Sequence, residues 1–350
     1  NLDPNTTNFI AARVGDQKLN LRGSGTTDPY LQPSGSYPNK SKYVRVEVIK
    51  TTTDYLDENG TRRLTALTAS LPGIQSGTFV GGSDGWVGFD ALGNQQDGSG
   101  QSLFYEKISS TNTQGYTLAA NQGLTAYTNA INLLSNQDEY DFNLLLLPGL
   151  LDSAAASHQT IITKAIDMVE ERGDAFVVID PVIFDSNITD ATTRAEARDS
   201  NYAAMYWPWI QIPDVISGKS RFVPPSVVIP GVYAFNDKVA HEWFAPAGLN
   251  RGGIDTAIMT ERKLTQANRD TLYESNVNPI ASFPGQGVTV FGQKTLQKKS
   301  SALDRINVRR LMIRLKKFIA STSRFLLFEQ NTAATRNRFL SIVNPFMEQV

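Results

Sequence analysis

Phe142-Asn-Leu-Leu-Leu-Leu-Pro-Gly149 is the stretch whose reading decides the fold. An unbroken apolar run closed by Pro-Gly is the pattern of a strand buried on both faces, as strands of parallel sheets are. Downstream, Ile161, Ile162, Ala165, Ile166 and Val169 recur at the spacing of an amphipathic helix, and Gly173 supplies its stop. Phe176-Val-Val-Ile179 is a second buried strand, ended by Asp180-Pro181. A short helix near Thr192 to Asp199 leads to a third strand, Ala203 to Ile210, which carries an edge proline at 208. Strands and helices alternating at this length predict a parallel sheet with covering helices.

Outward from this centre the character changes on both sides. Upstream, Ala126, Ala130, Ile131, Leu133 and Leu134 predict one more helix, but residues 1 to about 115 are rich in Gly, Ser, Thr, Asn and Asp. There Tyr43-Val-Arg-Val-Glu-Val-Ile49 alternates with period two, as a half-buried strand does. Asp57-Glu-Asn-Gly60 carries a hairpin signal, with Arg63-Leu-Thr-Ala-Leu67 as the returning strand. Downstream of Ser226 the order is irregular, and the last stretch turns helical. Ile306, Leu311, Leu315, Phe318 and Ile319 are expected to form its inward stripe, capped by Asp304 or Ser301. Arg305, Arg309, Arg310, Arg314, Lys316 and Lys317 are expected to point out. The expected fold is thus mixed α/β and α+β in several domains. An N-terminal antiparallel β domain spans 1–75, extending to about 115; an α/β domain with a mainly parallel sheet spans 76–225; an α+β domain spans 226–350.

Composition removes several classes of function. The 33 basic and 34 acidic side chains nearly cancel, so nothing global attracts nucleic acid or an anionic membrane. With no cysteine there is no disulfide framework, thiolate metal site or cysteine nucleophile, and His158 and His241 alone are too few for a zinc site without several carboxylates. No cofactor or metal is expected. The apolar run at Leu144 to Leu147 is far shorter than the ~20 residues of a bilayer span. The chain opens on Asn1-Leu-Asp-Pro without a methionine, and reads as part of a longer polypeptide.

Four motifs look chemical. Gly81-Gly82-Ser83-Asp84-Gly85 matches the nucleophile elbow of serine hydrolases, which needs a strand turning sharply into a helix. The adjoining segment from Trp86 to Asn94 has no helical pattern, so Ser83 is read as part of a glycine-rich loop. Gly218-Lys219-Ser220 resembles the end of a phosphate-binding loop, but Pro213 holds the place of its first glycine and Arg221-Phe-Val-Pro-Pro225 blocks the helix. Asp180, Asp185 and Asp190 lie at and beyond the end of a buried strand, where α/β sheets bind ligands, yet without a partner set they read as caps and turn formers. Lys294 to Arg324 holds ten basic residues against Asp304 alone, without the interleaved aromatics of a single-strand binder. That charge is read as a face for an acidic protein surface. Trp207, Trp209 and Trp243 are read as core or interface anchors.

Several blocks occur in order: Pro230-Gly-Val-Tyr233, Trp243 to Gly253, Leu272-Tyr-Glu, Asn278-Pro-Ile280, Phe283-Pro-Gly-Gln-Gly287, Phe291-Gly and Asp304-Arg-Ile-Asn-Val-Arg-Arg-Leu311. Together they resemble the C-terminal domain of contractile tail sheath proteins. The resemblance is strong over about 225–350, weaker over 76–225 and absent from 1–75. It implies a non-enzymatic virion subunit that stacks as hexameric rings around a tail tube, after assembly in the host cytoplasm. Its implied partners are itself, the tube, and baseplate and tail terminator proteins, with no direct nucleic acid and no membrane. The six cations at 305, 309, 310, 314, 316 and 317 then become tube-facing or intersubunit contacts. A bacteriocin or type VI-like sheath is the near alternative; a serine hydrolase and a DNA-binding virion protein are the distant ones. Family members carry longer terminal segments, so this chain alone is expected to be monomeric.

Overall fold

The computed structural model describes residues 2–24, 27–49, 59, 61, 118, 123–215 and 220–350. The chain forms two compact units, Asn1–Gly82 and Ser83–Val350. In the first, α1 (Ile10–Val14) precedes an antiparallel pair, β1 (Lys18–Ser24) and β2 (Thr27–Ser34). The antiparallel character was expected, but the strands are different ones. Tyr43–Ile49 is not a strand, and Tyr43 and Ile49 are almost fully exposed. Alternation forms a strand only where a sheet edge and a face are free to receive it. Here the segment is held by single contacts rather than a ladder, such as Val46 N–H to the Gly15 carbonyl at 3.0 Å and Lys18 to Glu47 at 3.0 Å. The hairpin expected at 57–60 and its returning strand lie, apart from Asn59, outside the described residues.

The second unit follows the alternating pattern: α2 (Gly123–Leu134), β3 (Leu144–Leu151), α3 (Ala156–Arg172), β4 (Phe176–Asp180), α4 (Ile188–Glu196) and β5 (Ala203–Trp207). β3, β4 and β5 pair in parallel, with Leu145 opposite Val177 and Val178 opposite Ala204. Side chains alternate between two cores: Val177 and Ile179 face one helical layer, Phe176 and Val178 the other. Each such side chain contributes ~1.5–3 kcal/mol when fully buried, which fixes the register. α3 stops at Gly173, whose left-handed φ of 64° lets its N–H reach the Val169 carbonyl at 2.8 Å. Pro148-Gly149 does not end β3 as expected; the strand runs through it to Leu151 with an irregular register. β3 is an edge strand, where a proline without N–H is tolerated.

The sheet then crosses the expected 225/226 division. Beyond β6 (Ile210–Pro213), β7 (Ser220–Val223), α5 (Ile229–Val239), β8 (Met259–Thr260) and α6 (Gln266–Glu274), the chain re-enters it with β9 (Val277–Phe283) and β10 (Gly287–Val290). β9 is parallel to β5 and β10 antiparallel to β9, giving the order β10-β9-β5-β4-β3. The expected third strand is also divided, since β6 leaves for a small antiparallel sheet with β7 and β8. Clusters of helix residues make the layers plain: α3, α4 and α6 pack on one face, α5 and α7 (Ile306–Ser323) on the other.

The free edge of β10 is closed by the loop from Gly248 to Ile254. Val290 exchanges backbone hydrogen bonds with it, donating to Gly252 and accepting from Gly248, each at 2.8 Å, and Ile254 N–H reaches the Val288 carbonyl at 2.9 Å. The close approach needs glycine at 252, because a Cβ there would sit 2.7 Å from the Val290 oxygen and 2.8 Å from the Gly248 nitrogen. Gly252→Ala is therefore expected to cost about 1–3 kcal/mol, as overpacking does. Urea unfolding midpoints measure it, and an unchanged midpoint would show that the loop does not seal this edge.

Candidate interaction surface

α7 keeps Ile306 inward as expected but turns the rest of the expected stripe away from the sheet. Ile306, Arg309 and Ile313 are its buried residues, and Arg310 and Lys317 share their side. Leu311, Leu315, Phe318 and Ile319 stand on the far side, where Phe318 stacks on Phe346 of α8 (Ala333–Gln349) at 4.3 Å. Nor does Asp304 or Ser301 cap this helix. Ser301 caps the short turn before it, accepting from Leu303 N–H at 3.2 Å, while Ile306 N–H is taken by the Gln293 carbonyl at 2.9 Å.

The inward cations have partners in the chain itself. Arg305 donates to the Tyr273 hydroxyl at 2.5 Å, just before β9. Arg309, only 6% exposed, donates to the Asn201 carbonyl at 3.0 Å and lies 3.9 Å from the Tyr202 ring, just before β5. Lys316 donates to the Arg172 carbonyl at 2.6 Å, at the negative end of α3 and just before β4. Lys317 binds Asp141 at 2.5 Å and the Phe142 carbonyl at 2.8 Å, just before β3. The order of cations along α7 thus repeats the strand order β9-β5-β4-β3. Twelve positions of helix rise about 18 Å, and four strands at about 4.8 Å spacing span about 14 Å. One helix can therefore clasp the amino ends of all four parallel strands.

Arg310 makes a two-pronged contact with Asp237, at 2.9 and 2.5 Å, over the Tyr233 ring. Beneath it the Tyr233 and Tyr206 hydroxyls meet at 2.6 Å. Burial pushes Tyr233 up to about 12 and raises Tyr206 as well, so both stay neutral. Burial also lowers Arg309, offset in part by Tyr202 and Glu170, while the Lys317 hydrogen bond lowers Asp141. Of the six cations, Arg314 is the least engaged, its side chain 49% exposed and 3.9 Å from Glu242. Lys316 is exposed, although its ammonium group is held by the Arg172 carbonyl.

The other candidates resolve into structural roles. Asp180 is buried and accepts both the N–H and the hydroxyl of Ser226, at 2.9 and 2.5 Å. Asp185 turns the chain at φ 61°, and Asp190 completes a capping box with Asn187. His158 is buried and accepts the Leu151 N–H at 3.1 Å, whereas His241 stacks on Trp243 at 4.5 Å. Trp207 and Trp209 are core residues, and Trp209 donates to the Val182 carbonyl at 3.0 Å. No group of three acids or histidines able to hold a metal occurs among the described residues. Ser220 opens a strand rather than a helix, while Gly218, Lys219 and the Gly81–Gly85 motif lie outside the described residues.

Residues 119–296 match the family described as phage tail sheath protein central domain. Two curated relatives, both tail sheath proteins, come from Vibrio phage KVP40 and Enterobacteria phage T4. They are 38% and 37% identical over 164 residues, 47% of this chain and 23% and 24% of theirs. The chain therefore spans about a quarter of the length of these relatives. Among solved structures, the contracted helical sheath of the anti-feeding prophage shares the fold at a TM-score of 0.50. There 70% of this chain and 65% of that one are covered, at 23% identity.

Proposed function

The chain belongs to the phage tail sheath protein family, and from that premise we propose that it is the sheath core of a contractile tail. In this reading subunits stack as hexameric rings around a tail tube, between baseplate and terminator, and contraction drives the tube through the host envelope. The work comes from energy stored in the assembled sleeve, and no reaction is catalysed. The observation that carries it is coincidence: the family match covers α2 through β10, the same residues that build the five-stranded sheet. A subunit transmitting force needs such a rigid body. The phage setting rests on the two curated relatives, and a bacteriocin or secretion sheath would have the same fold.

The contact role of the helix narrows to what α7 leaves free. Arg305, Arg309, Arg310, Lys316 and Lys317 are spent inside the chain, so the tube-facing or intersubunit contact falls to Arg314. Electron microscopy of the longer protein containing this chain tests the function, tubular polysheaths being the expected result. Arg314→Glu is expected to leave the unfolding midpoint unchanged and to reduce sleeve formation on purified tubes. Assembly equal to wild type would remove Arg314 from the contact.

A further inference from the structure

The net charge of −1 conceals a sorting of charge between the two helical layers. On α3, α4 and α6, every exposed charged residue is an acid: Asp167, Glu170 and Glu171, then Asp190 and Glu196, then Asp270 and Glu274. Of the basic residues of these helices, Arg172 is buried, and Lys164, Arg194 and Arg269 are half-buried, the last over the Phe283 ring at 5.2 Å. The opposite layer reverses the sign. Lys238 on α5 and Arg314 and Lys316 on α7 are exposed, and α8, packed through Phe346 on the side of α7 away from the sheet, adds Arg336 and Arg338 against Glu348 alone.

We propose that these layers are the two halves of one contact, the acidic α3/α4/α6 face of one copy docking on the cationic α5/α7/α8 face of the next. The occupant is a second copy of this chain because the complementary charge is present on the chain itself and lies on opposite sides of one sheet. Such a contact joins different surfaces, so it is heterologous and propagates copy by copy instead of closing on itself. The cationic side also offers apolar area to the docked face: Met312, Leu340, Ile342 and Met347 are exposed on α7 and α8. Charge then sets the register, while these side chains gain by burial. The face pairing rests on the sheath reading for its place in a helical assembly.

Sedimentation velocity of the 350-residue chain tests it, at about 20 mM and about 1 M salt, where the Debye length shrinks to about 3 Å. Although the resemblance to sheath proteins implies a monomer for this chain alone, the face pairing predicts that wild type associates at low salt with a constant that falls at least about tenfold at high salt. Asp167→Lys with Glu171→Lys leaves five acids against two lysines on the acidic face, and Lys238→Glu with Arg338→Glu leaves three cations against three acids on the cationic face. Each double variant is expected to associate at least about tenfold more weakly than wild type at low salt, and an equimolar mixture of the two, which restores one intact pair of faces, is expected to associate again. Only face pairing predicts that rescue. A monomeric wild type at low salt, variants that associate like wild type, or a mixture that stays monomeric would each overturn the proposal. No tube is present in the assay, so its failure leaves the sheath reading standing, to be decided by polysheath formation.

Discussion

Arg172→Ala is expected to cost about 3–5 kcal/mol of folding stability, the range found when one partner of a buried ion pair is removed. Arg172 is 2% exposed, and its guanidinium donates four hydrogen bonds. It binds both oxygens of Asp174 at 2.9 and 3.0 Å, donates to the Leu134 carbonyl at 2.5 Å and the Tyr140 carbonyl at 2.8 Å, and lies 4.3 Å over the Phe142 ring. One side chain thereby ties the end of α2, the approach to β3 and the start of β4. Alanine would leave Asp174 and two carbonyls buried without their donor. At about 2–4 °C per kcal/mol for a unit of this size, the melting temperature should fall by roughly 6–20 °C. Arg172→Lys keeps the charge but cannot reproduce the fork, and should fall between. A loss under about 1 kcal/mol for alanine would show that water replaces the donor and that the hub is not a hub.

The central sheet was legible because its strands are buried on both faces and so read as unbroken apolar runs, and because Gly173 and Asp180-Pro181 punctuate them. β9 was not legible as a strand, since Val277-Asn-Pro-Ile carries a polar residue and a proline. Asn278 is nonetheless fully buried, donating to the Met205 and Lys294 carbonyls at 3.0 and 2.8 Å and accepting Lys294 N–H at 2.6 Å. Those partners lie far away in sequence, so no local pattern announces them. The division at 225/226 failed for this reason.

The face of α7 was misjudged on a different ground. Cations at helical spacing were read as an outward face for an acidic protein surface. Yet Arg305, Arg309, Arg310 and Lys317 meet Tyr273, Asn201, Asp237 and Asp141, all groups at the ends of other elements. Strand and helix ends present carbonyls and acids, and long basic side chains can cover apolar surface while reaching them. The stripe read from the sequence, Leu311, Leu315, Phe318 and Ile319, is a true helical period, but it meets α8 through Phe318 and Phe346, while Ile306 and Ile313 face the sheet. Counting both faces would have flagged an apolar side needing a partner and a cationic side needing acids.

Asp180→Asn is expected to stabilise the protein at pH 8 and to change little at pH 4. Burial pushes the Asp180 carboxyl from 3.8 up to about 7, against the opposing effect of the Ser226 hydrogen bonds. A folded pKa above the unfolded one means that the native state holds a proton which the unfolded chain has released. The associated stability is present below about pH 4 and is lost as pH rises through 7. At about 1.4 kcal/mol per unit, roughly three units correspond to about 4 kcal/mol. Asparagine is neutral throughout and can keep both contacts, its oxygen accepting the Ser226 N–H and its amide donating to the Ser226 hydroxyl. Urea unfolding of wild type and variant at pH 4, 6 and 8 gives the test. Half-buried Glu261 is also raised by burial, and exposed Asp141 is lowered by Lys317, so the wild-type curve alone mixes groups of opposite sign. The difference between variant and wild type cancels them. It should grow with pH between about 4 and 7 and then level, and a difference independent of pH would mean that Asp180 is ionised in the native protein across this range.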